Sequence, residues 1–492
     1  MGLLTKRTAD ERAGGEAAER AGGEAAERAG GEAAERDEEG RAGRSKPWLS
    51  SVPGLSSVPG LSSVKWGGQK TTGFRYEDPR RPLPIRALNG VGRVLQQLGV
   101  EAPALRAAPL MAKAAARTGL DEFGDESFRE GLEVYLRSAR EEARLHPLGR
   151  VMAAENVVRL LANRLRMEAL EIRCPEVSRV ELEPPVVIVG LQRTGTTLLH
   201  RLLANDPRFR VLASWEAINP SPHIERRSEG RGHDPKDSRR RFAFFSERTL
   251  RYMAPDFFAI HPVEYDAPEE DCLLFDLDFV GTVPEATQNV PTYSRWVESQ
   301  DPRRAYRFFK RVLKMLLWQR QAERWLLKTP QHLEHLEGLL QEFPRARILW
   351  THRDPTRVLA SFSSMMCHGR GVFSDWVDPP SVAAHWARKA KIMVEHGMDV
   401  RDRWPEDVFL DVPYAGLVSD PLSQVRRIYE FLKTTLDPTV EARMRLWLGK
   451  NPQHKYGRHR YRLRDFGLEA AELEATFAPY RQRFEIPAEP LS

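Results

Sequence analysis

From Ala104 onward the apolar positions follow two alternating rhythms. Leu132, Leu136 and Leu145 recur at near-helical spacing, and Val151, Val158, Leu161, Leu165, Met167 and Leu170 predict a long amphipathic helix over 148–172. Pro175 ends helical order, and Pro184-Pro185 introduces Val186-Val187-Ile188-Val189. Four β-branched residues in a row predict a strand buried on both faces. Similar runs follow at 325–327, 347–351 and 408–410. Helical patterns separate them at Leu198–Ala204, Tyr306–Glu323, His332–Glu342, Val382–Val400 and Leu422–Leu432. Strands alternating with helices imply a parallel sheet covered on both faces. The expectation is a three-layer α/β domain over 104–492, with a helical N-terminal part at 104–180 and helical insertions.

The first fifth of the chain lacks both rhythms. Residues 13–36 are three copies of A-G-G-E-A-A-E-R with no large apolar side chain, and 49–64 repeat L-S-S-V-P-G. Paired glycines disfavour a helix and a Pro-Gly every six residues interrupts any element. Residues 1–103 are therefore expected to be a low-complexity lead-in, disordered to about 75 and weakly patterned from 76 to 103. Over the whole chain 41% of residues are hydrophobic and 29% charged, which excludes disorder throughout and permits a sizeable core. No run of 18 apolar residues occurs, so no transmembrane helix is expected. Cys174, Cys272 and Cys367 lie far apart, with no paired framework, which fits a reducing cytoplasm and argues against a cysteine zinc site. The net charge of +6 permits a nucleic acid, an anionic membrane surface or a phosphorylated ligand.

The strongest chemical signal is Gly190-Leu191-Gln192-Arg193-Thr194-Gly195-Thr196-Thr197, between the predicted strand and a helix. Backbone N–H groups at such a corner point at an anion, and glycine keeps side chains away from it. Against the pattern G-x-x-x-x-G-K-[ST], both glycines and the last hydroxyl are present, but Thr196 holds the lysine position. A P-loop kinase or nucleotide-binding regulator working on a triphosphate through Thr196 and Thr197 stays open on these residues alone.

Arg193-Thr194-Gly195-Thr196-Thr197 after a strand resembles the 5′-phosphosulfate loop of sulfotransferases that use 3′-phosphoadenosine-5′-phosphosulfate (PAPS). The second half of that signature is present too. Arg353 follows the predicted strand at 347–351, and Ser361 stands eight residues later, as in the family's 3′-phosphate motif. A planar guanidinium takes phosphate bidentately and a hydroxyl two helical turns on closes the other side. Thr118–Gly124, Trp215-Glu216, Pro268–Asp271, Leu327-Lys328-Thr329-Pro330 and His459–Leu468 resemble recurring stretches of the bacterial branch allied to tyrosylprotein sulfotransferases.

The resemblance implies a P-loop-like fold and a cytoplasmic PAPS-dependent enzyme that moves a sulfuryl group to a hydroxyl or amine. Arg193, Thr194, Gly195, Thr196 and Thr197 would bind the 5′ end, and Arg353 with Ser361 the 3′-phosphate. Lys455, Arg458 or Arg460, in a late basic cluster, would close over that phosphate. Lys328 and Arg193 would meet the sulfuryl oxygens. Two residues compete as the general base: Glu216, 23 residues after Arg193, and His332, shortly after Lys328-Thr329. His261, Glu264, Glu269 and Glu270 form a polar group suited to an acceptor pocket. His332-Leu333-Glu334-His335 is one residue short of a zinc motif, and no metal is needed. The acceptor is a small molecule, carbohydrate, lipid or peptide, which the sequence does not separate. Residues 1–47 hold nine basic and eleven acidic residues, so the positive excess of +8 belongs to 48–492 and matches a doubly anionic nucleotide rather than a nucleic acid. Met111 lies near the onset of the resemblance, so 1–103 is expected to be a tail or the product of an upstream start.

Overall fold

The computed structural model describes residues 79, 81–100, 103–223, 237–451 and 462–489. Its centre is a five-stranded parallel sheet: β1 (Val186–Val189), β2 (Phe209–Arg210), β3 (Arg324–Lys328), β4 (Arg347–His352) and β5 (Phe409–Pro413), in the order β2-β3-β1-β4-β5. The β-branched run of β1 lies in the middle, with Val187 paired to Leu327 on one side and Ile348 on the other. All four of its residues are buried.

The two-residue period of the strands divides the core. Val187, Val189, Leu327, Ile348 and Trp350 pack in the larger cluster, with the helices Pro147–Arg173 and Pro302–Gln319. Val186, Ile188, Leu326, Leu349 and Val412 pack in a second one, with the helices Thr196–Leu203 and Pro421–Phe431. This is the expected three-layer α/β arrangement. The long helix predicted over 148–172 runs from Pro147 to Arg173, and His146 caps it by accepting the Gly149 N–H at 2.8 Å. The short strand β2 had no readable pattern, being only two residues long.

Local detail goes beyond the expected elements. The stretch His332–Glu342 is broken into helices Gln331–Glu334 and Leu336–Glu342. A fully buried lysine pins the insertion at 283–298: Lys389 Nζ lies 2.7 Å from Glu334, 3.2 Å from Glu285 and 3.3 Å from Glu298. In the lead-in expected over 1–103, the weakly patterned part from 76 to 103 contains a helix, Leu83–Gln97. It docks by its small and polar positions. Asn89 accepts the Leu148 N–H at 2.9 Å, and a Cβ on Gly92 would stand 2.3 Å from Pro147 Cβ. Residues 1–78 lie outside the described ones.

β1 connects through the helix Thr196–Leu203 to strands on one side, while β4 and β5 continue on the other. The carboxyl end of β1 is therefore the switch point of the sheet, where an open α/β fold leaves a crevice for ligands.

Candidate active site

The loop leaving β1 is shaped by backbone geometry that its residues permit. Gly190 has φ 142° and Gly195 φ 91°. A Cβ on Gly190 would lie 2.3 Å from Thr351 Oγ1 on β4, so the close approach requires glycine. Thr194 is buried, and its hydroxyl donates to the Leu191 carbonyl at 2.5 Å and meets Thr351 Oγ1 at 2.7 Å. That hydroxyl pins the loop to the sheet, leaving only backbone groups of Thr194 for a ligand. Arg193 has φ 66°, a conformation that non-glycine residues adopt at some cost. Its Nε donates to Ser361 Oγ at 3.2 Å.

Arg353 completes a continuous anion edge. Its Nη1 donates to the Arg193 carbonyl at 3.0 Å, and its guanidinium lies over the Tyr414 ring at 3.9 Å. Nε and Nη2 grip both carboxylate oxygens of Glu489, at 2.7 and 2.8 Å. The Glu489 N–H is held by Asp354 Oδ2 at 2.9 Å, while Asp354 Oδ1 caps the helix Pro355–Phe373 through Thr356 N–H at 3.0 Å. A chain carboxylate thus stands in the fork as an anion would. The fork can accept a planar pair of anionic oxygens.

This edge borders a cavity of about 630 Å³ lined by Gly195, Thr196, Thr197, Arg193, Arg353 and Ser361 on one side. His261, Glu269 and Glu270 line it too, and much of the remaining wall is apolar, with Phe257, Phe362, Met365, Met366 and Trp386. Lys328, the last residue of β3, is buried and puts Nζ 2.7 Å from Glu270 Oε1. Its backbone N–H donates to Asp271 Oδ2 at 2.7 Å, which holds the acidic segment against the strand end. Burial pushes the His261 pKa below the usual imidazole value; Glu269 and Glu270 pull it up, while Lys328 and Arg193 lower it further. Both cations therefore bear on the space that His261 borders.

Two expected residues stand elsewhere. Glu216 is buried and does not line the cavity: Arg210 holds it through two hydrogen bonds of 2.7 and 3.0 Å, Arg320 through two of 2.8 and 3.4 Å, and the Ala213 N–H through one of 3.0 Å. Burial raises its pKa, but Arg210 and Arg320 outweigh this and carry it down to about 2. With every lone pair engaged and no access, it is no base for an acceptor. His332 is fully buried, with Nδ1 2.8 Å from Tyr306 OH, Nε2 2.9 Å from Asp271 Oδ1, and aromatic rings of Phe275 and Phe309 around it. It too lies behind the cavity wall. Glu264 pairs with Arg201 at 3.0 Å, outside the lining. Lys455, Arg458 and Arg460 fall in 452–461, outside the described residues. Sequence reasoning missed Tyr414 and Glu489, for which no motif exists, and it did not link Glu270 to Lys328, which is 58 residues further along the chain.

Comparison with known proteins agrees with this geometry. The profile of the sulfotransferase family matches residues 184–438, more than half of the chain. The omega-hydroxy-beta-dihydromenaquinone-9 sulfotransferase Stf3 of Mycobacterium bovis is 26% identical over 296 residues, which cover 56% of this chain and 69% of the relative. The crystal structure of sulfotransferase STF9 from Mycobacterium avium superposes with a TM-score of 0.70 at 29% identity, covering 79% of this chain and 99% of that one. Sulfotransferase STF1 from Mycobacterium tuberculosis gives a TM-score of 0.66 at 28% identity, over 76% of this chain and 98% of that one. The kinase alternative is set aside, and the chain belongs to the sulfotransferase family, enzymes of sulfuryl transfer whose general donor is PAPS.

Proposed function

We propose that this chain transfers a sulfuryl group from PAPS to a hydroxyl on an apolar small molecule, with Glu270 as the general base. One observation carries the reading: a single cavity joins the Arg193–Ser361–Arg353 edge, Glu270, which Lys328 holds from behind the lining, and a group of apolar side chains. The donor, when bound, supplies an electrophilic sulfur and 3′,5′-adenosine bisphosphate as the leaving group. Arg193 and the backbone N–H groups of Gly195–Thr197 bind its 5′ end, while Arg353 and Ser361 hold the 3′-phosphate, with Glu489 leaving the fork. Glu270 takes the proton of the acceptor hydroxyl as the acceptor oxygen bonds to sulfur and the bond from sulfur to the phosphate oxygen breaks. Lys328 holds Glu270 Oε1 and orients it, and stabilises negative charge beside Arg193. His261, kept neutral by burial, adds no positive charge to compete with them.

Phe257, Phe362, Met365, Met366 and Trp386 favour an acceptor with an apolar body. The Mycobacterium bovis relative is named for a hydroxylated dihydromenaquinone, which has that chemistry. The three free cysteines fit a reducing compartment, and we place the reaction in the cytoplasm.

Labelled sulfate transfer from PAPS to hydroxylated prenyl quinols, long alkanols, sugars and tyrosine peptides tests the acceptor class. Label on the apolar alcohols is expected; label on sugars or peptides alone overturns it. Adenosine bisphosphate should raise the melting temperature without magnesium. Stabilisation by ATP with magnesium alone would sink the donor assignment.

A further inference from the structure

The helix Leu83–Gln97 is built inside out. Its only buried residue is Asn89, and the side facing the domain holds Asn89 and Gly92, against Leu148 and Pro147, with Ile85 half-buried one turn earlier. Most of the large apolar residues face outward. Leu88, Val91, Leu95 and Leu98 repeat at intervals of three and four, with Val91 62% and Leu98 73% exposed. Seven of the twelve large apolar side chains exposed among the described residues fall between 83 and 100. A helix of a soluble domain turns this stripe inward. Here no described residue covers it.

Charge decides what would. Residues 79–100 contain Arg80, Arg81, Arg86 and Arg93 and no acid. Asp375 pairs with two of them, with Arg81 at 2.5 Å and with Arg93 at 2.6 Å. Beside it Trp376 is 44% exposed under the Arg144 guanidinium, a ring with an apolar face and a polar edge at the rim of the patch. An apolar stripe flanked by arginines matches a lipid surface carrying negative headgroups. No helix among the described residues is long and apolar enough to cross a membrane, so the fit is to lying on one.

The attachment reaches the cavity. Arg81 donates to the carbonyls of Gly371 and Ser374, both at 2.7 Å, and Pro79 packs on Gly371. These residues end the helix Pro355–Phe373, whose Phe362, Met365, Met366 and Gly369 line the apolar wall. One helix thus lines the apolar half of the cavity and carries the clamp of the outward-facing stripe.

We propose that Leu83–Gln97 is an interfacial helix that docks this enzyme on an anionic bilayer surface. Docking is independent of the choice of base or donor. Its test is co-sedimentation of the full chain with phosphatidylcholine vesicles, with and without phosphatidylglycerol. Binding is expected with the anionic lipid and should weaken as salt is raised. The double variant Val91→Glu/Leu95→Glu should weaken it at least about tenfold and Arg86→Glu about threefold. Circular dichroism melting of both variants, matching the parent, reports an intact fold, and the shift with adenosine bisphosphate separately reports the nucleotide site. No sedimentation with anionic vesicles, or sedimentation that the double variant leaves unchanged, overturns the proposal. A parent dimer that the double variant dissolves, without vesicle binding, overturns it in favour of a second copy of the chain.

Discussion

Glu216 and Glu270 are both paired with cations close to β3, but they stand at opposite ends of it. Glu216 joins Arg320, which precedes β3, and Arg210, whose backbone pairs with Trp325 at the strand's start. Glu270 joins Lys328, the strand's last residue. Three residues of parallel strand separate those ends by roughly 10 Å. An open parallel sheet leaves its ligand crevice at the carboxyl end, so the same pairing of a carboxylate with a cation makes a brace at one end and, in the proposed function, a reacting group at the other. The count of cations sharpens the contrast. Two arginines and a backbone N–H saturate Glu216, while Glu270 has one lysine at one oxygen and only the weak thiol donor of Cys272, at 3.9 Å, at the other.

The contrast breaks first, and most visibly, on turnover. Glu270→Gln should lower kcat by about two to four orders of magnitude, the range of a lost general base, and keep the melting shift with adenosine bisphosphate. Unchanged turnover would move the base to Glu269, the other carboxylate of the cavity lining. Glu216→Gln should do the reverse: kcat per folded molecule holds, but stability falls by about 3–5 kcal/mol, because two arginines lose their buried partner. Urea unfolding measures it.

Acid sharpens the second half. The Glu216 pKa falls from 4.5 to about 2 on folding, so its contribution is fully present above the unfolded value and disappears as pH drops through the folded one. At about 1.4 kcal/mol per unit this is on the order of 3 kcal/mol. The stability gap between parent and Glu216→Gln should therefore narrow between about pH 5 and pH 2. A gap that stays flat over that window would show that the carboxylate is not held by its charge.

Sequence legibility follows the same division. The loop at 190–197 and the Arg353–Ser361 pair could be read because backbone geometry and strand-end position dictate residue types there. Lys328 could be read because a charge closing a buried strand is rarely idle. Buried strands β1, β3 and β4 appeared as apolar runs for the same reason. The base could not. A glutamate 23 residues after Arg193 satisfied a family spacing, but which end of β3 it reaches depends on how the chain folds back through the two-residue β2. Helix Leu83–Gln97 was obscured by the repetitive chain before it, although Leu88, Val91 and Leu95 carry its spacing. Glu489 left no trace, since a single glutamate near a terminus has no pattern around it.

The anion edge gives the smaller effects. Arg353→Ala should weaken adenosine bisphosphate binding by about 10- to 100-fold, the loss of one or two charge-assisted hydrogen bonds. The change should be smaller for a nucleotide without the 3′-phosphate. Equal losses would remove Arg353 from that role.

Glu489 sharpens the same edge with the smallest change. Its carboxylate fills the Arg353 fork at 2.7 and 2.8 Å, so a 3′-phosphate has to displace it. The Arg353 and Glu489 side chains are 17% and 28% exposed, and a partly solvated pair of this kind contributes little, about 1 kcal/mol or less. Glu489→Gln removes the competing charge and leaves the shape of the tail. Binding of adenosine bisphosphate should tighten by about two- to fivefold, and titration calorimetry resolves that difference. A nucleotide lacking the 3′-phosphate should gain nothing, since only the 3′ end meets this fork. If both nucleotides tighten equally, the tail obstructs the cavity by its bulk. If neither changes, Glu489 vacates the fork without cost, and the phosphate meets Arg353 as though the tail were absent.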